Sequence, residues 1–362
     1  MGIYICSFCF AFYESLRMSL RHKKKRVTVT DIAKEAGVSL KTASRALNNS
    51  PHVRKEKREA VLRAAKKFNF RPNISARQLA SNRSYVITHF YDNLNTDYLS
   101  KIYTGMQKAC HKHGYYAVAE ATDYSRKNFI AQTLDYASSF NIDGLILSPP
   151  LCDDAKLIEA LKKQDIKLVL ISPQEASNDD YYVFVDEERS AFEITEHLIT
   201  LGHENIAFLG GLKSHKAASD RQKGFISAMK HHGLNASNKN IKSGDFTMQS
   251  GHDAYVDIMK KLPEATAIFA ANDEMAMGVI MAALNDGKKI PDEIAIAGYD
   301  NIRFSGLFWP SLTTVSPPVI EMASYATNLL IRLISGEIIK NKRHEFVSEI
   351  IIRKSTNKRK SS

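Results

Sequence analysis

The chain has few cysteines for its length. Four occur in 362 residues, Cys6, Cys9, Cys110 and Cys152, and their spacing fits no disulfide framework. This argues against a disulfide-stapled secreted protein and suits the reducing cytoplasm. Cys6 and Cys9 form a CxxC pair, but no second pair or histidine cluster accompanies it in the sequence, so we expect no metal site.

The sequence also lacks a long apolar run and a recognisable catalytic arrangement. Residues 1 to 17 are apolar, but a membrane span takes about 20 residues, and the basic start and cleavage site of a signal peptide are missing. We expect translation to begin at Met18. Gly210 and Gly211 do not extend into a dinucleotide-binding glycine pattern, and no Ser/His/Asp grouping appears. We therefore expect a cytoplasmic protein that is not an enzyme, binds no cofactor and does not contact membranes.

Positive charge is in excess near the N-terminus. Residues 21 to 83 hold 18 Lys and Arg against 4 Asp and Glu, whereas the whole chain has a formal net charge of +11. The remaining residues are therefore slightly acidic in sum. Such a local excess indicates a site for a polyanion such as nucleic acid, although a basic run like residues 21 to 26, taken alone, is more typical of a solvated tail.

The same segment predicts two short helices joined by a turn. Thr28 and Asp31 have the spacing of a capping box, and helical spacing of apolar residues continues until Gly37. Ser39 is placed to cap a second helix from Leu40 to about Leu47. The outward face of that helix comprises Leu40, Lys41, Ser44 and Arg45. Two helices joined by a glycine-containing turn form a helix-turn-helix, whose second helix enters the major groove of DNA.

A third helix, from about residue 55 to residue 68, is expected to complete a small core beneath the pair. Its inward positions are Ala60, Val61, Ala64, Ala65 and Phe68, which face Ala43, Ala46 and Leu47 of the second helix. The segment 28–70 therefore predicts an all-α DNA-binding head.

Residues 28 to 47, TVTDIAKEAGVSLKTASRAL, closely resemble the head of the lactose repressor/galactose repressor (LacI/GalR) family of bacterial transcription regulators. Family-like segments then follow in order: RPNISARQLA (71–80), LGHENIAFLGG (201–211), RQKGF (221–225), AANDEMAMG (270–278), IPDEIAIAGYDN (290–301) and LTTV (312–315). An ordered series over most of the chain is far more specific than a lone helix-turn-helix.

The resemblance implies which residues contact DNA. Leu40, Lys41 and Arg45 fall where the family reads base edges, since lysine can donate to guanine and leucine can pack on a thymine methyl. For Lys41 a phosphate contact is the alternative. Thr28, Ser39 and Thr42 are expected to cap helices or contact phosphates, and the outward-facing Ser44 completes the DNA-binding set. Arg54 stands where many members carry a serine that caps the third helix, so that cap is in doubt.

A hinge helix is expected directly after the head. Pro72 disfavours helix at Arg71 and permits one over 73 to 80, but isolated helices below about 12 residues are marginal in water. In the family, paired hinge helices enter the minor groove, where a leucine at the position of Leu79 wedges between base pairs. The residues implied in this contact are Asn73, Ala76, Arg77, Leu79 and Ala80. The alternative is a plain linker.

From Tyr85 onward, apolar runs alternate with amphipathic helical stretches, which predicts parallel sheets with helices on both faces. The candidate strands are residues 86–91, 115–121, 144–148, 167–172, 206–210, 267–271 and 294–299. A body of this size exceeds one comfortable core, so two lobes are expected.

The resemblance supplies the arrangement, a two-lobed α/β effector domain like the periplasmic binding proteins. The implied segments are an N-terminal extension and basic arm (1–27), the head (28–70), the hinge (71–84), a first lobe (85–184 plus 318–346), a second lobe (185–317 plus 347–354) and a basic tail (355–362). A ligand would then bind between the lobes, outside the carboxyl ends of the strands.

Polar residues near those strand ends are candidates for an effector site. They are Asp92, Asn93, Tyr98, Ser148, Asp186, Arg221, Phe246, Asn272, Asp273 and Asp300. Carboxylates, amides and arginine bind hydroxyls, and an aromatic ring covers an apolar face, so the mixture suits a sugar. Arg221, Asn272 and Asp300 lie in family-like segments and are the principal candidates. For Asn272 and Asp273 the alternative is capping of a helix that starts at Glu274, which we favour more for Asp273.

We therefore predict a homodimeric, effector-controlled DNA-binding repressor of a carbohydrate-utilisation operon. Two heads fit the half-sites of a palindromic operator in double-stranded DNA, and a sugar in the cleft would change whether the hinges pair. A corepressor-dependent regulator and a sugar-binding transport component are the alternatives; the second would have no basic head. Ile171, Ala217 and Pro317 replace polar residues of some members, so no particular effector is implied.

Overall fold

The protein is represented by a computed structural model that describes residues 27–47, 52–70, 78, 81, 83–92, 96–174, 176–212 and 215–356. The chain divides into two compact units, and the division falls between residues 82 and 83. Several expectations fall outside the described residues and stay predictions: the start at Met18, the hinge contacts of Asn73, Ala76, Arg77, Leu79 and Ala80, and the effector contact of Asn93.

The first unit contains the three expected helices, α1 (Val29–Glu35), α2 (Leu40–Leu47) and α3 (Lys55–Lys67). The capping box of α1 is confirmed, because the Thr28 hydroxyl accepts from the Asp31 N–H and the Asp31 carboxylate accepts from the Thr28 N–H. Ser39 caps α2 by accepting from the Thr42 N–H at 3.2 Å. Gly37 has φ +63°, a conformation that glycine adopts without strain. Arg54 makes no side-chain cap bond at the start of α3.

The core of the head is built from small and branched side chains, among them Ile32, Ala43, Ala46 and Val61, each fully buried. The expectation that Phe68 joins this core is wrong, because Phe68 follows the end of α3 and is 38% exposed. Asn69 then turns the chain with φ +47°, and Phe70 packs against the core instead.

The second unit contains two six-stranded sheets. The first comprises β1 (Val86–Tyr91), β2 (Tyr116–Ala121), β3 (Gly144–Leu147), β4 (Lys167–Ile171), β5 (Tyr182–Val185) and β11 (Arg343–Phe346), in the spatial order β11-β5-β4-β3-β1-β2. All its strand pairs are parallel. The second comprises β6 (Ile206–Gly210), β7 (Ile241–Ser243), β8 (Ala267–Ala270), β9 (Ala295–Tyr299), β10 (Thr313–Ser316) and β12 (Glu349–Ile351), in the order β12-β10-β9-β8-β6-β7. Only its β10–β12 pair is antiparallel.

Helices cover these sheets, as expected for parallel strands. The first sheet is accompanied by α4 (Thr96–His113), α5 (Phe129–Ser139), α6 (Ala155–Lys163) and α11 (Val319–Ile334). Two separate apolar clusters lie against it, one with α4 and α11 and one with α5 and α6. The second sheet is accompanied by α7 (Glu187–Thr200), α8 (Lys216–His231), α9 (Met248–Lys261) and α10 (Asp273–Asn285). Within the described ranges, no helix is both long and apolar enough to cross a membrane.

We call the first sheet with its helices the first lobe, and the second sheet with its helices the second lobe. The chain passes between them three times, after β5, between β10 and α11, and between β11 and β12. Because β5 runs to Val185, the first passage comes slightly later than the expected boundary at residue 184. All seven candidate strands are confirmed, each end lying within one residue of its expected position.

Candidate functional site in the cleft between the lobes

A cavity of about 140 Å³ lies between the carboxyl ends of the two sheets. Its lining side chains belong to the ends of strands or to the segments that follow them: Asp97, Tyr98, Lys101, Pro149, Ser172, Val185, Glu187, His215, Ala217, Arg221, Phe246, Asn272, Asp300, Ile302, Pro317, Val319 and Met322. This is the position expected for a ligand in open parallel sheets. Five of the ten candidate effector residues line it, namely Tyr98, Arg221, Phe246, Asn272 and Asp300.

Arg221, in α8, is the most completely engaged side chain of the cavity and is only 6% exposed. Its Nε donates to Glu187 Oε2 at 2.8 Å, its Nη1 donates to the Ala271 carbonyl, and its Nη2 lies 3.5 Å from Asp300 Oδ1. The guanidinium carbon lies 3.5 Å from the ring centroid of Tyr299. These partners lie inside the cleft, so Arg221 belongs to the buried site and not to a surface ion pair.

Asp300 follows β9 and faces Arg221. Its backbone has φ +104°, which L residues seldom adopt. Burial raises the pKa of its carboxyl to about 7, while the charge of Arg221 opposes that rise. The Asp300 carboxyl can accept a hydrogen bond in its ionised form and donate one in its protonated form.

Phe246 gives the cavity an aromatic wall. It follows β7, has φ +71°, and its carbonyl accepts from Asn272 Nδ2 at 2.9 Å. Asn272 also caps α10, because its Oδ1 accepts from the Met275 N–H at 3.0 Å. A methyl group on Gly211 would overlap the Phe246 ring, so glycine at this position leaves room for the ring.

Lys101 connects the two lobes across the cavity. From α4 of the first lobe its Nζ donates to the carbonyls of Asp300 and Asn301 in the second lobe, both at 2.9 Å. It also lies 3.0 Å from Asp97 Oδ2, one helical turn earlier. The Asp97 carboxylate accepts from the Arg303 N–H at 3.3 Å, which adds a further contact between the lobes.

Four candidate effector residues that the structure describes do not line the cavity. Asp92 is exposed and accepts from the Tyr124 N–H, and Ser148 is buried against His89, with Oγ and Nε2 2.9 Å apart. Asp186 is exposed and caps α7 by accepting from the Arg189 N–H. Each of these side chains therefore has a structural partner in place of a cavity position.

Asp273 is the fourth, and the sequence-based choice between it and Asn272 as the cap is wrong. Asn272 caps α10, whereas Asp273 is fully buried and accepts from the Ile302 N–H, the Ser305 hydroxyl and the Thr314 hydroxyl. Through these hydrogen bonds Asp273 holds the segment after β9 next to β10. Burial raises the pKa of its carboxyl to about 6, although these three donors oppose the rise.

Three charged cavity residues, Asp97, Lys101 and Glu187, were not among the predicted effector residues. In the sequence analysis Asp186 was named as an effector residue and not its neighbour Glu187. The reason is that β5 was not predicted, and the residue at which this strand ends was therefore unknown. The N-cap preference for aspartate could have assigned Asp186 to the helix and left Glu187 for the cleft. Lys101 stands three and four residues after Tyr98 and Asp97, a spacing that places the three on one helix face.

The head presents the expected basic surface on α2. Leu40 is 53% exposed, and Lys41 and Arg45 are exposed as well, whereas Ala43 and Ala46 are buried. The hydroxyl residues of the predicted set divide by role: Thr28 and Ser39 form caps, and Thr42 and Ser44 are half-buried on α2. The DNA contacts of all these residues stay predictions.

A cluster of metal-ligating side chains lies away from the cavity. Within the described ranges, ligand atoms of Glu196, His231 and His232 lie within 4.8 Å of one another on the second lobe. Glu196 is half-buried and the histidines are exposed, and His232 Nε2 is 3.0 Å from Glu196 Oε1. A direct hydrogen bond therefore accounts for the approach of Glu196 to His232, and His231 contacts His232 edge-to-face.

Each of the two units matches a known protein family. The profile of the bacterial regulatory proteins of the lacI family matches residues 28–73, and that of the periplasmic binding protein-like domain matches residues 195–356. Catabolite control protein A of Priestia megaterium is 30% identical over 331 residues, which cover 91% of this chain and 99% of that protein.

Solved structures give the same result. The complex of the transcriptional regulator CelR with cellobiose has a TM-score of 0.70 at 26% identity, over 91% of this chain and 100% of that chain. The lac repressor dimer bound to operator and the anti-inducer ONPF has a TM-score of 0.72 at 27% identity, over 92% and 100%. The expected fold, a helix-turn-helix head before a two-lobed α/β domain, is confirmed, and the chain belongs to the LacI family of bacterial regulatory proteins.

Proposed function

We propose that this protein is a homodimeric repressor whose affinity for a palindromic operator in double-stranded DNA is set by a small-molecule effector, a sugar, bound in the cavity. It would act at the bacterial nucleoid, on a carbohydrate-utilisation operon. The observation that carries the proposal is the combination in one chain of an exposed basic recognition helix and a cavity lined from both lobes.

The DNA-binding half of the proposal rests on the surface of α2. An apolar side chain such as Leu40 is normally buried, yet here it is exposed beside Lys41 and Arg45. In the major groove the same three side chains would meet thymine methyls, base edges and phosphates. The lac repressor structure, a dimer bound to operator, supports this assignment and the dimeric state.

The effector half rests on the polar and apolar sides of the cavity. Arg221, Asn272 and Asp300 supply donors and acceptors for hydroxyl groups, and Phe246 and Tyr98 supply ring faces. A volume of about 140 Å³ corresponds to roughly ten water-sized probes, which is the scale of one small molecule. The cellobiose bound to CelR supports a sugar as the effector class.

The two halves can be coupled through the first lobe. The chain enters this lobe at Ser84, whose N–H donates to Asp143 Oδ1 at 2.8 Å, and continues directly into β1. A ligand that favours one arrangement of the lobes would shift the position of this anchor, and with it the preceding hinge segment. Release of DNA on sugar binding is the expected sign; a corepressor would give the opposite sign.

The test begins by selecting an operator from a random duplex pool with the purified full-length protein. We expect enrichment of a two-fold symmetric sequence, bound with a steep inverse dependence on salt because phosphate contacts release counterions. A sugar panel is then screened for changes in operator affinity by fluorescence anisotropy. Arg221→Ala should abolish the sugar response and retain operator binding. Equal affinity for the enriched and random duplexes would contradict the proposal.

A further inference from the structure

We infer that the cleft selects an uncharged hydroxylated effector and discriminates against anionic ones such as sugar phosphates and uronates. The inference rests on the proposed function, because it concerns the ligand of the same cavity. It follows from how the two cationic side chains that line the cavity, among the described residues, are already used.

Arg221 is already paired with two carboxylates of the fold, Glu187 and Asp300. Arginine binds carboxylates and phosphates best through two parallel N–H groups, but Nε of Arg221 donates to Glu187 and Nη1 donates to the Ala271 carbonyl. Its Nη2 faces the Asp300 carboxylate, and Tyr299 covers one face of the guanidinium. An anionic ligand would have to displace one of two carboxylates that the fold holds in place.

Lys101 is committed in the same way. Lys101 Nζ donates to the carbonyls of Asp300 and Asn301 and forms an ion pair with the Asp97 carboxylate. All three distances lie between 2.9 and 3.0 Å. The ammonium group therefore joins the lobes through two hydrogen bonds, and its charge is balanced by Asp97 before a ligand binds.

The charge balance of the lining disfavours a second anion. Asp97, Glu187 and Asp300 supply three carboxyl groups against the two cations. His215 adds no compensating charge at neutral pH, because burial lowers its pKa below the ordinary value. A phosphate or carboxylate in this space would lie close to like charges, which oppose its ionised form.

The same lining is favourable for a neutral sugar. Asp300 can accept from a hydroxyl group, and Ser172 adds a further polar group. The lining also has apolar members, Ile302, Val319, Met322 and Phe246, which suit the C–H face of a sugar ring. Hydroxyl groups therefore find partners here without the cost of burying another charge.

The inference is tested by isothermal titration of the full-length protein with matched sets, in which each neutral sugar is compared with its uronate and its phosphate ester. Glucose, glucuronate and glucose 6-phosphate form one set, and galactose, ribose and cellobiose with their acidic derivatives extend the panel. We expect the neutral member to bind at least about tenfold more tightly. An acidic member that binds as tightly as its neutral partner, or a panel without any binding, would overturn the inference.

A charge-removing variant gives a second readout that structural damage would not produce. Glu187→Gln frees the Arg221 guanidinium, so we expect binding of the glucuronate or phosphate ester to strengthen by about tenfold, the scale of a hydrogen bond to a charged group. Glu188→Gln, the exposed neighbour on α7, is the matched control. Unchanged or weakened acid binding in Glu187→Gln would overturn the inference. Operator affinity measured in the same samples separates this failure from failure of the proposed function.

Discussion

Replacing Gly211 with alanine should weaken effector binding while leaving the protein folded. A Cβ built on Gly211 would lie 2.0 Å from Phe246 Cζ and 2.2 and 2.5 Å from its two Cε atoms. All three atoms belong to the outer edge of a side chain, so the overlap can be relieved by moving the ring and not the backbone. The ring lines the cavity, and its movement must therefore change the site.

The size of the effect follows from the contact that the ring would make. Carbon atoms pack best at about 3.5 Å, so the ring edge must move by roughly 1.5 Å. If a sugar face buries about 50 Å² against Phe246, then ~25 cal/mol per Å² gives about 1.3 kcal/mol, or roughly tenfold in Kd. The free energy of unfolding should change by less than about 1 kcal/mol, because a half-buried ring can shift toward the cavity.

A double-mutant cycle measures whether Gly211 acts through the ring. The sugar with the largest effect in the panel is titrated into the wild type, Gly211→Ala, Phe246→Ala and the double variant, and urea unfolding is followed for each. Gly211→Ala should weaken binding in the wild-type background and change it little once the ring is gone. An unchanged Kd in the single variant, or the same loss in both backgrounds, would refute the reasoning.

Three further predictions concern the buried carboxylate, the recognition helix and the hinge. Asp273→Ala should lower the free energy of unfolding in urea by about 3 kcal/mol or more, because three donors lose their acceptor, whereas Asp92→Ala, which removes one exposed acceptor, should lower it by less than about 1 kcal/mol. Since the Asp273 pKa is raised from 3.8 to about 6 in the folded state, the proton-linked part of its contribution to stability is full below pH 4 and is lost as the pH rises through 6, whereas the part that comes from accepting three hydrogen bonds does not depend on protonation in this way. That loss of about 3 kcal/mol should be absent from Asp273→Asn. The same dependence of the free energy of unfolding on pH in the wild type and in Asp273→Asn would contradict this prediction. Lys41→Ala should weaken operator binding by about 1 to 3 kcal/mol and relax the preference at one base pair if Lys41 reads a base edge. If Lys41 contacts phosphate instead, the variant should reduce the salt slope by about 1 and keep the base preference. A variant with unchanged affinity, base preference and salt slope would remove Lys41 from the interface. Leu79→Ala should reduce operator affinity and bending in gel-shift assays and leave sugar titrations intact, and undiminished operator affinity would refute the wedge.

The central strands of both sheets were predictable because buried parallel strands are continuous apolar runs. Two of the strands that the sequence analysis missed are of a different kind. β7 (IKS) and β11 (RHEF) lie at sheet edges, are short and carry polar residues, so no apolar run marks them. Because β5 was not predicted, the position at which this strand ends was not known. Asp186 was therefore chosen as the effector-site residue, although Glu187 lines the cavity.

The DNA-binding head was easier to predict than the cleft, because its signals are local. Capping by Thr28 and Ser39 and the inward face of Ala43 and Ala46 depend on spacings of three or four residues. The role of Asp273, by contrast, depends on donors at Ile302, Ser305 and Thr314, about 30 to 40 positions later. Those partners adjoin Asp273 only after β9 and β10 have paired with their neighbours.

Three residues that line the cavity have an unfavourable backbone conformation. Ser172, Phe246 and Asp300 all line the cavity with positive φ, a conformation that costs such residues roughly 1 to 3 kcal/mol and persists only where surrounding contacts hold it. The carbonyl of Asp300 is held by Lys101 from the other lobe. A ligand that contacts the Asp300 side chain therefore acts on the residue whose backbone joins the lobes. In the proposed function, binding and lobe arrangement would share this residue, and the effector would have a direct physical route to the conformation of the first lobe.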